Sequence, residues 1–225
     1  EGVDVRLIYD DIGCLLTLPY KYNEELERRG IKCCVFNQFR PVWSAKMNNR
    51  DHRKILVIDG HTAFTGGINL ADEYINEKQK YGRWKDSAVM LQGEGVWSFT
   101  VMFLSMWNYL TGNHMEDIDK YRPIQDEIAD FHDEGVVVPF TDSPLDEEPV
   151  GENVYLNIIN SAEDYVYITT PYLIIDNEMQ TALILAAKSG VDVRIITPHI
   201  PDKKAVFAVT RAHYRNLLRY GVKIY

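Results

Sequence analysis

Residues 49–69 read Asn-Arg-Asp-His-Arg-Lys-Ile-Leu-Val-Ile-Asp-Gly-His-Thr-Ala-Phe-Thr-Gly-Gly-Ile-Asn. The apolar, β-branched run Ile55–Ile58 predicts a buried strand. Asp59-Gly60 is a favoured pair for a two-residue hairpin turn, and residues 62–65 predict the returning strand, which stops at Gly66-Gly67. Alternate residues of a strand point to the same side, so a strand that begins at His52 puts His52 and Lys54 on one face. An imidazole beside an ammonium suits an anionic substrate: the imidazole can attack or move protons at neutral pH, and the ammonium neutralises oxygens. Two glycines let backbone approach a ligand closely, and the amide of Asn69 can donate to a phosphate oxygen.

Taken singly these features are ordinary. A His-x-Lys pair on a strand is usually surface chemistry, Asp59 is a turn residue, and Gly-Gly is a loop. Their combination at fixed spacing on one hairpin is not ordinary. A metal held by His52, Asp59 and His61 is disfavoured because Lys54 between them would repel it, so no metal or other cofactor is expected.

The constellation His52, Lys54, Asp59, Gly66, Gly67 and Asn69 resembles the signature of the phospholipase D superfamily. The flanks Asn-Arg-Asp-His-Arg-Lys and Gly-Gly-Ile-Asn-Leu-Ala-Asp-Glu-Tyr look like those of bacterial cardiolipin synthases. Trp84-Lys85-Asp86, Gly93, Phe103 and Trp107 continue the resemblance over nearly the whole chain. It implies an α/β, phospholipase D-like fold of mixed β-sheets flanked by helices, in two homologous lobes with the active site between them. It also implies covalent catalysis without metal, in which one motif histidine attacks phosphorus and the other moves the protons of the leaving and entering alcohols.

Carried onto this chain, the resemblance makes His52 the nucleophile or its acid–base partner. Lys54 and Asn69 would bind phosphate, with the Gly66-Gly67 turn close by. Asp59 is the motif aspartate, expected to support the hairpin or a lysine rather than touch substrate. The family orients each histidine with a carboxylate; Asp86 is the choice here, with Glu73 as runner-up. The implied reaction condenses two phosphatidylglycerols to cardiolipin and glycerol. Alternatives are a phospholipase D-type hydrolase, a nuclease, or a non-catalytic lipid- or protein-binding paralogue. No nucleic-acid partner is expected, because no long basic, aromatic-interleaved patch is evident. The expected partners are the phospholipid and a membrane surface. The setting the resemblance implies is the bacterial cytoplasmic membrane, with the parent chain expected to be held there by helices upstream of this stretch, itself expected to be soluble.

Composition fits that setting. The chain has 225 residues, 46% apolar and 25% charged, as in ordinary globular proteins. Residues 96–110 come nearest to a membrane span, but Ser98, Thr100, Ser105 and Asn108 interrupt them, and a core helix carrying Phe99, Phe103 and Trp107 is predicted instead. Three cysteines, two of them adjacent (Cys33 and Cys34), argue against a disulfide framework; with Cys14 they read as inert buried thiols. The net charge of −9 is local in origin: residues 116–152 hold thirteen acids against Lys120 and Arg122, which leaves the rest near +2.

The chain repeats itself. Gly2-Val3-Asp4-Val5-Arg6-Leu7-Ile8 returns as Gly190-Val191-Asp192-Val193-Arg194-Ile195-Ile196, and Arg28-Arg29-Gly30-Ile31-Lys32 as Arg219-Tyr220-Gly221-Val222-Lys223, at offsets of 188 and 191 residues. Each copy is predicted to run helix, Gly, strand, helix, Gly, strand. The same offset places a second His-Lys-Asp hairpin at about residue 240, so the sequence reads as an excerpt of a longer chain. Residues 1–112 are then the later part of the first repeat, 113–152 an acidic linker, and 153–225 the early part of the second. One histidine cannot be both nucleophile and acid on one phosphate, so the excerpt alone is expected to be inactive unless a homodimer brings two His52 residues together.

Smaller expectations complete the reading. Residues 136–140 are predicted as an edge strand, and residues 142–151 as a loop or lid. A basic helix over residues 202–220 carries Lys203, Lys204, Arg211, Arg215 and Arg219, most simply as a solvated face. Of the other histidines, His61, His114, His132 and His213 have no motif around them. His199 sits at a strand end, where α/β folds place sites.

Overall fold

The computed structural model describes residues 2–38, 50–113, 117–123, 135–142 and 148–225. It is a mixed α/β structure of several small sheets flanked by helices. The elements are β1 (Arg6–Asp10), α1 (Asp11–Cys14), α2 (Tyr22–Arg28), β2 (Lys32–Phe36), β3 (Ile55–Ile58), β4 (Thr62–Gly66), β5 (Ala88–Gln92) and α3 (Val96–Thr111). A 3-10 turn (Asp119–Tyr121) follows, then α4 (Val150–Asn160), β6 (Tyr165–Thr169), α5 (Asn177–Lys188), β7 (Asp192–Ile196), α6 (Lys204–Arg219) and β8 (Lys223–Ile224). β1 and β2 pair in parallel, β3-β4-β5 form an antiparallel sheet, and β6-β7-β8 are all parallel.

The chain divides into two compact units. One comprises residues 1–70 and 86–140, and the other residues 71–85 and 141–225. In the first, α3 packs on β2, β3 and β4. Its buried residues Val96, Thr100, Leu104 and Trp107 follow the helical period, so they form one stripe. Phe99 and Phe103 are half-buried at its margin, with Phe103 stacked on Trp107 at 6.1 Å. In the second unit the core joins the inner face of the parallel sheet (Val166, Val193 and Ile195) to Leu183 of α5 and Leu217 of α6. The three cysteines are free, and burial pushes the Cys33 thiol up to about 11.

The internal duplication is present in three dimensions. Both copies run strand, helix, parallel strand, with Arg6 opposite Lys32 in one and Arg194 opposite Lys223 in the other. The same ion triad forms twice. Asp4 pairs with Arg6 at 3.3 Å and Lys32 at 2.8 Å; Asp192 pairs with Arg194 at 2.6 Å and Lys223 at 2.7 Å. The helix ends match too. Ile31 N–H bonds Leu26 O and Gly30 N–H bonds Glu27 O; Val222 N–H bonds Leu217 O and Gly221 N–H bonds Leu218 O. This cap needs a left-handed residue, which Gly30 (φ +84°) and Gly221 (φ +98°) supply.

Several expectations are corrected. β3 begins at Ile55, not His52, and it is half-buried rather than buried: Leu56 is 55% exposed and Ile58 44%. Residues 135–140 pair in no sheet among the described residues, and Val136 is 88% exposed. Helix α4 already starts at Val150, inside the stretch expected to be a loop. About half of the acidic connection, with His114 and His132, lies outside the described residues. No described helix is long and apolar enough to cross a membrane.

Candidate active site

The motif hairpin is β3 and β4, with Ile58 opposite Thr62, so the loop holds three residues rather than two. Asp59 (φ +51°) and Gly60 (φ +73°) are both left-handed, and His61 N–H closes the turn onto Ile58 O at 3.2 Å. Gly60 is buried; a β-carbon there would meet Tyr121 O at 2.5 Å. Asp59 is exposed in this turn, and a strand rise of about 3.3 Å per residue carries it about 15 Å beyond Lys54. It sits in the turn, at the end of the hairpin opposite His52.

His52, Arg53 and Lys54 lead into β3 without strand pairing. The β3–β4 ladder ends at Ile55 opposite Thr65, while Gly66 pairs with Ala88 of β5 and Gly67 N–H donates to Ser87 O. His52 is exposed. The Nζ of Lys54 donates to the carbonyl oxygen of His52 at 2.7 Å. Burial holds the Lys54 ammonium below its ordinary value, while Asp51 and Asp86 pull in the opposite direction.

Asp86 meets the hairpin at its glycines. A β-carbon on Gly67 would stand 2.3 Å from Asp86 Oδ1, and one on Gly66 2.3 Å from Ser87 O. The two glycines therefore make room for the chain entering β5, a packing reason distinct from the ligand contact expected of them. Asp86 Oδ1 accepts from Ser87 N–H at 2.8 Å. The structure thus gathers Lys54, Gly66, Gly67 and Asp86 around the base of the hairpin. Asn69 is half-buried just beyond the glycines. Glu73 is half-buried in residues 71–85, which belong to the second unit.

Sequence reasoning missed the groups that brace the approach to His52. Asp51 accepts from Arg53 Nε at 2.9 Å, Arg53 Nη2 at 2.7 Å and Arg53 N–H at 3.1 Å. Burial pushes the Asp51 carboxyl up, but these donors outweigh it and hold it below the usual range. Asp10, at the end of β1, accepts from Arg50 Nε and from Asp51 N–H at 3.0 Å. The available signal was its place at the carboxyl end of a parallel strand.

In the second unit, the Tyr172 hydroxyl donates to Asp202, and burial together with that carboxylate raises it far above its ordinary value. Lys203 lies over the Tyr172 ring at 5.1 Å. Asn76 and Trp84 close the 71–85 segment through paired bonds: Asn76 Nδ2 to Trp84 O at 2.9 Å and Trp84 N–H to Asn76 Oδ1 at 2.6 Å. His199 is exposed after β7. On α6, Arg211, Arg215 and Arg219 are exposed. No group of three His, Cys, Asp or Glu among the described residues is arranged to hold a metal ion.

Comparison with known proteins identifies the family. Residues 1–96 and 155–225 match the family described as cardiolipin synthase, phospholipase D-like domain. An uncharacterised protein of Streptococcus mutans is 55% identical over the whole chain, which covers 48% of that relative. A cardiolipin synthase of a Geobacillus species and a cardiolipin synthase 2 of Bacillus cereus are each 38% identical, again over the whole chain, which covers 44% and 43% of them. The chain thus spans a little under half the length of these relatives. With the hairpin, its braced histidine approach and the match on both copies of the repeat, the chain belongs to the phospholipase D-like family of the cardiolipin synthases.

Proposed function

We propose that this chain carries the first catalytic half of a phosphatidyltransferase that makes cardiolipin from two molecules of phosphatidylglycerol. The observation that carries the reading is the exposed His52 with the Lys54 ammonium folded back onto its own carbonyl. That arrangement holds a cation on the backbone of His52 while His52 itself stays exposed.

The chemistry runs in two in-line steps. An imidazole nitrogen of His52 attacks the phosphorus of one phosphatidylglycerol, a P–N bond forms, and the P–O bond to glycerol breaks. The glycerol oxygen takes its proton from a second acid. A hydroxyl of the other phosphatidylglycerol then gives its proton to that same group and attacks phosphorus, releasing cardiolipin and free imidazole. Lys54 and Asn69 stabilise the non-bridging oxygens, and Asp86 supports Lys54 electrostatically. The histidine roles exchange if the other motif supplies the nucleophile. The second acid is the histidine expected about 188 residues further on from the repeat offset, or His52 of a second copy. Residues 113–152 act as the connection between the halves, and the membrane surface supplies both lipids.

The test uses the full-length protein in detergent micelles with phosphatidylglycerol, products read by mass spectrometry, and His52→Ala alongside. Cardiolipin and glycerol in equal amounts, lost in His52→Ala, is the expected result. Phosphatidic acid alone would make the protein a hydrolase. No lipid product from folded wild-type protein would overturn the reading, and single-stranded DNA would be the next substrate.

A further inference from the structure

Asp10 is the last residue of β1, and its side chain is only 10% exposed. Its carboxylate gathers Gly13 N–H at 2.9 Å, Arg50 Nε at 2.9 and 3.0 Å, Arg50 Nη2 at 2.8 Å and Asp51 N–H at 3.0 Å. One carboxylate thus ties the end of β1, the first turn of α1 and the approach to the motif hairpin. Asp51 is 41 residues away in sequence, so this is a tertiary contact.

The contact falls beside His52. Asp10 holds the amide of Asp51, and Lys54 Nζ holds the carbonyl of His52 at 2.7 Å. The backbone of residues 51–52 is therefore gripped at both ends, by a carboxylate at the end of β1 and an ammonium just before β3. Asp51 adds a third restraint through Arg53. His52 lies outside any sheet ladder, so these side chains do for it what strand pairing would otherwise do.

We infer that Asp10 is a positioning residue for His52, acting through the Asp51 amide. This rests on the reading of His52 as a reacting group. A nucleophile or proton carrier must sit within a narrow range of geometry, and a shift of about 1 Å costs on the order of a hundredfold in rate. The device belongs to the first copy alone. Aligning Arg6 with Arg194 puts Pro198 at the position of Asp10. Proline has no side-chain acceptor, so the second copy has no carboxylate at the position of Asp10.

Arg50 shares the Asp10 carboxylate but does not itself touch the Asp51 amide, so it separates an ion-pair role from a positioning role. The experiment compares Asp10→Asn, Arg50→Ala and the double variant in the full-length protein. Hydrogen exchange of the Asp51 amide, kcat and KM on phosphatidylglycerol micelles, and the thermal midpoint are measured for each. Asp10→Asn should speed Asp51 exchange by about tenfold or more. It should lower kcat by about tenfold to a hundredfold with KM within about twofold. Arg50→Ala should cost less in kcat, and Asp10→Asn should still cost kcat in the Arg50→Ala background. Unchanged Asp51 exchange, or equal and non-additive kcat losses in the two single variants, would overturn the inference. So would a loss explained wholly by fewer folded molecules. If wild-type protein makes no lipid product, the proposed function fails while exchange at Asp51 still decides the clamp.

Discussion

A β-carbon on Gly67 would stand 2.3 Å from Oδ1 of Asp86 and 3.0 Å from its Cγ. The glycine is thus required by a side chain, whereas Gly66 is required by backbone, the Ser87 carbonyl and the Ala88 Cα. A side chain can turn away and backbone in a sheet cannot. Gly67→Ala should destabilise by about 1–3 kcal/mol, and Asp86→Ala in the same chain should recover part of that loss. Gly66→Ala should destabilise at least as much with no recovery from Asp86→Ala. Urea unfolding of the four variants checks both statements.

Lys54 feels Asp86. Burial lowers its pKa and Asp86 opposes that, so Asp86→Asn should lower it further. The sign for stability follows. A lysine depressed below its ordinary 10.5 binds fewer protons folded than unfolded between its folded value and 10.5, so its contribution to stability rises with pH across that window. Asp86→Asn should widen the window downward. Carbon-13 titration of the Lys54 ε-carbon reads the shift directly, and an upward or absent shift would remove Asp86 from this role.

Asp192 joins Arg194, Lys223 and the Tyr167 hydroxyl, and its carboxyl lies well below the usual range, chiefly through Arg194 and then Lys223. A depressed carboxylate stabilises above its unfolded value near 3.8 and loses that contribution as pH falls through its folded value. Asp192→Asn should therefore be less stable than wild type at neutral pH, and the difference should shrink in strong acid. Added salt should shrink it too, because the cluster is open to solvent. Denaturant unfolding across the acid range provides the comparison, and a difference independent of pH would show that the charge is not the cause.

Leu217 and Leu218 are neighbours on α6 with opposite environments. Leu217 is 0% exposed and Leu218 is 52% exposed. Leu217→Ala should cost about 2–5 kcal/mol through lost burial and the cavity left behind. Leu218→Ala should stay within about 0.5 kcal/mol. Leu26, buried at the matching place of the first copy, should behave like Leu217. Thermal unfolding separates the two classes.

The α/β class, the repeat, the hairpin and the core helix α3 were legible in the sequence because each rests on local pattern. Ile55–Ile58 is a β-branched run, Asp59-Gly60 is turn chemistry, and the two glycine-ended helices carry the same letters twice. The expected strand at residues 136–140 fails for a complementary reason. Val-Val-Val has the propensity, but a strand also needs a partner, and propensity does not supply one.

His52, Lys54, Asp59, Gly66, Gly67 and Asn69 are singled out because their pattern resembles the family signature, and Asp86 because it precedes an apolar run where relatives carry such acids. What each of them does locally was decided only in three dimensions. The β3–β4 ladder ends at Ile55 opposite Thr65, and this leaves His52 outside the sheet. Gly67 is glycine because Asp86 lies against it. Asp10 matters because folding brings a carboxylate from β1 onto an amide 41 residues later, a contact that no local pattern encodes. Sequence determined most of the elements, since periodicity and turn chemistry act between near neighbours, and its resemblance to a family marked the candidate groups. Tertiary structure decided which charges hold the histidine, since that depends on which strand ends are brought together.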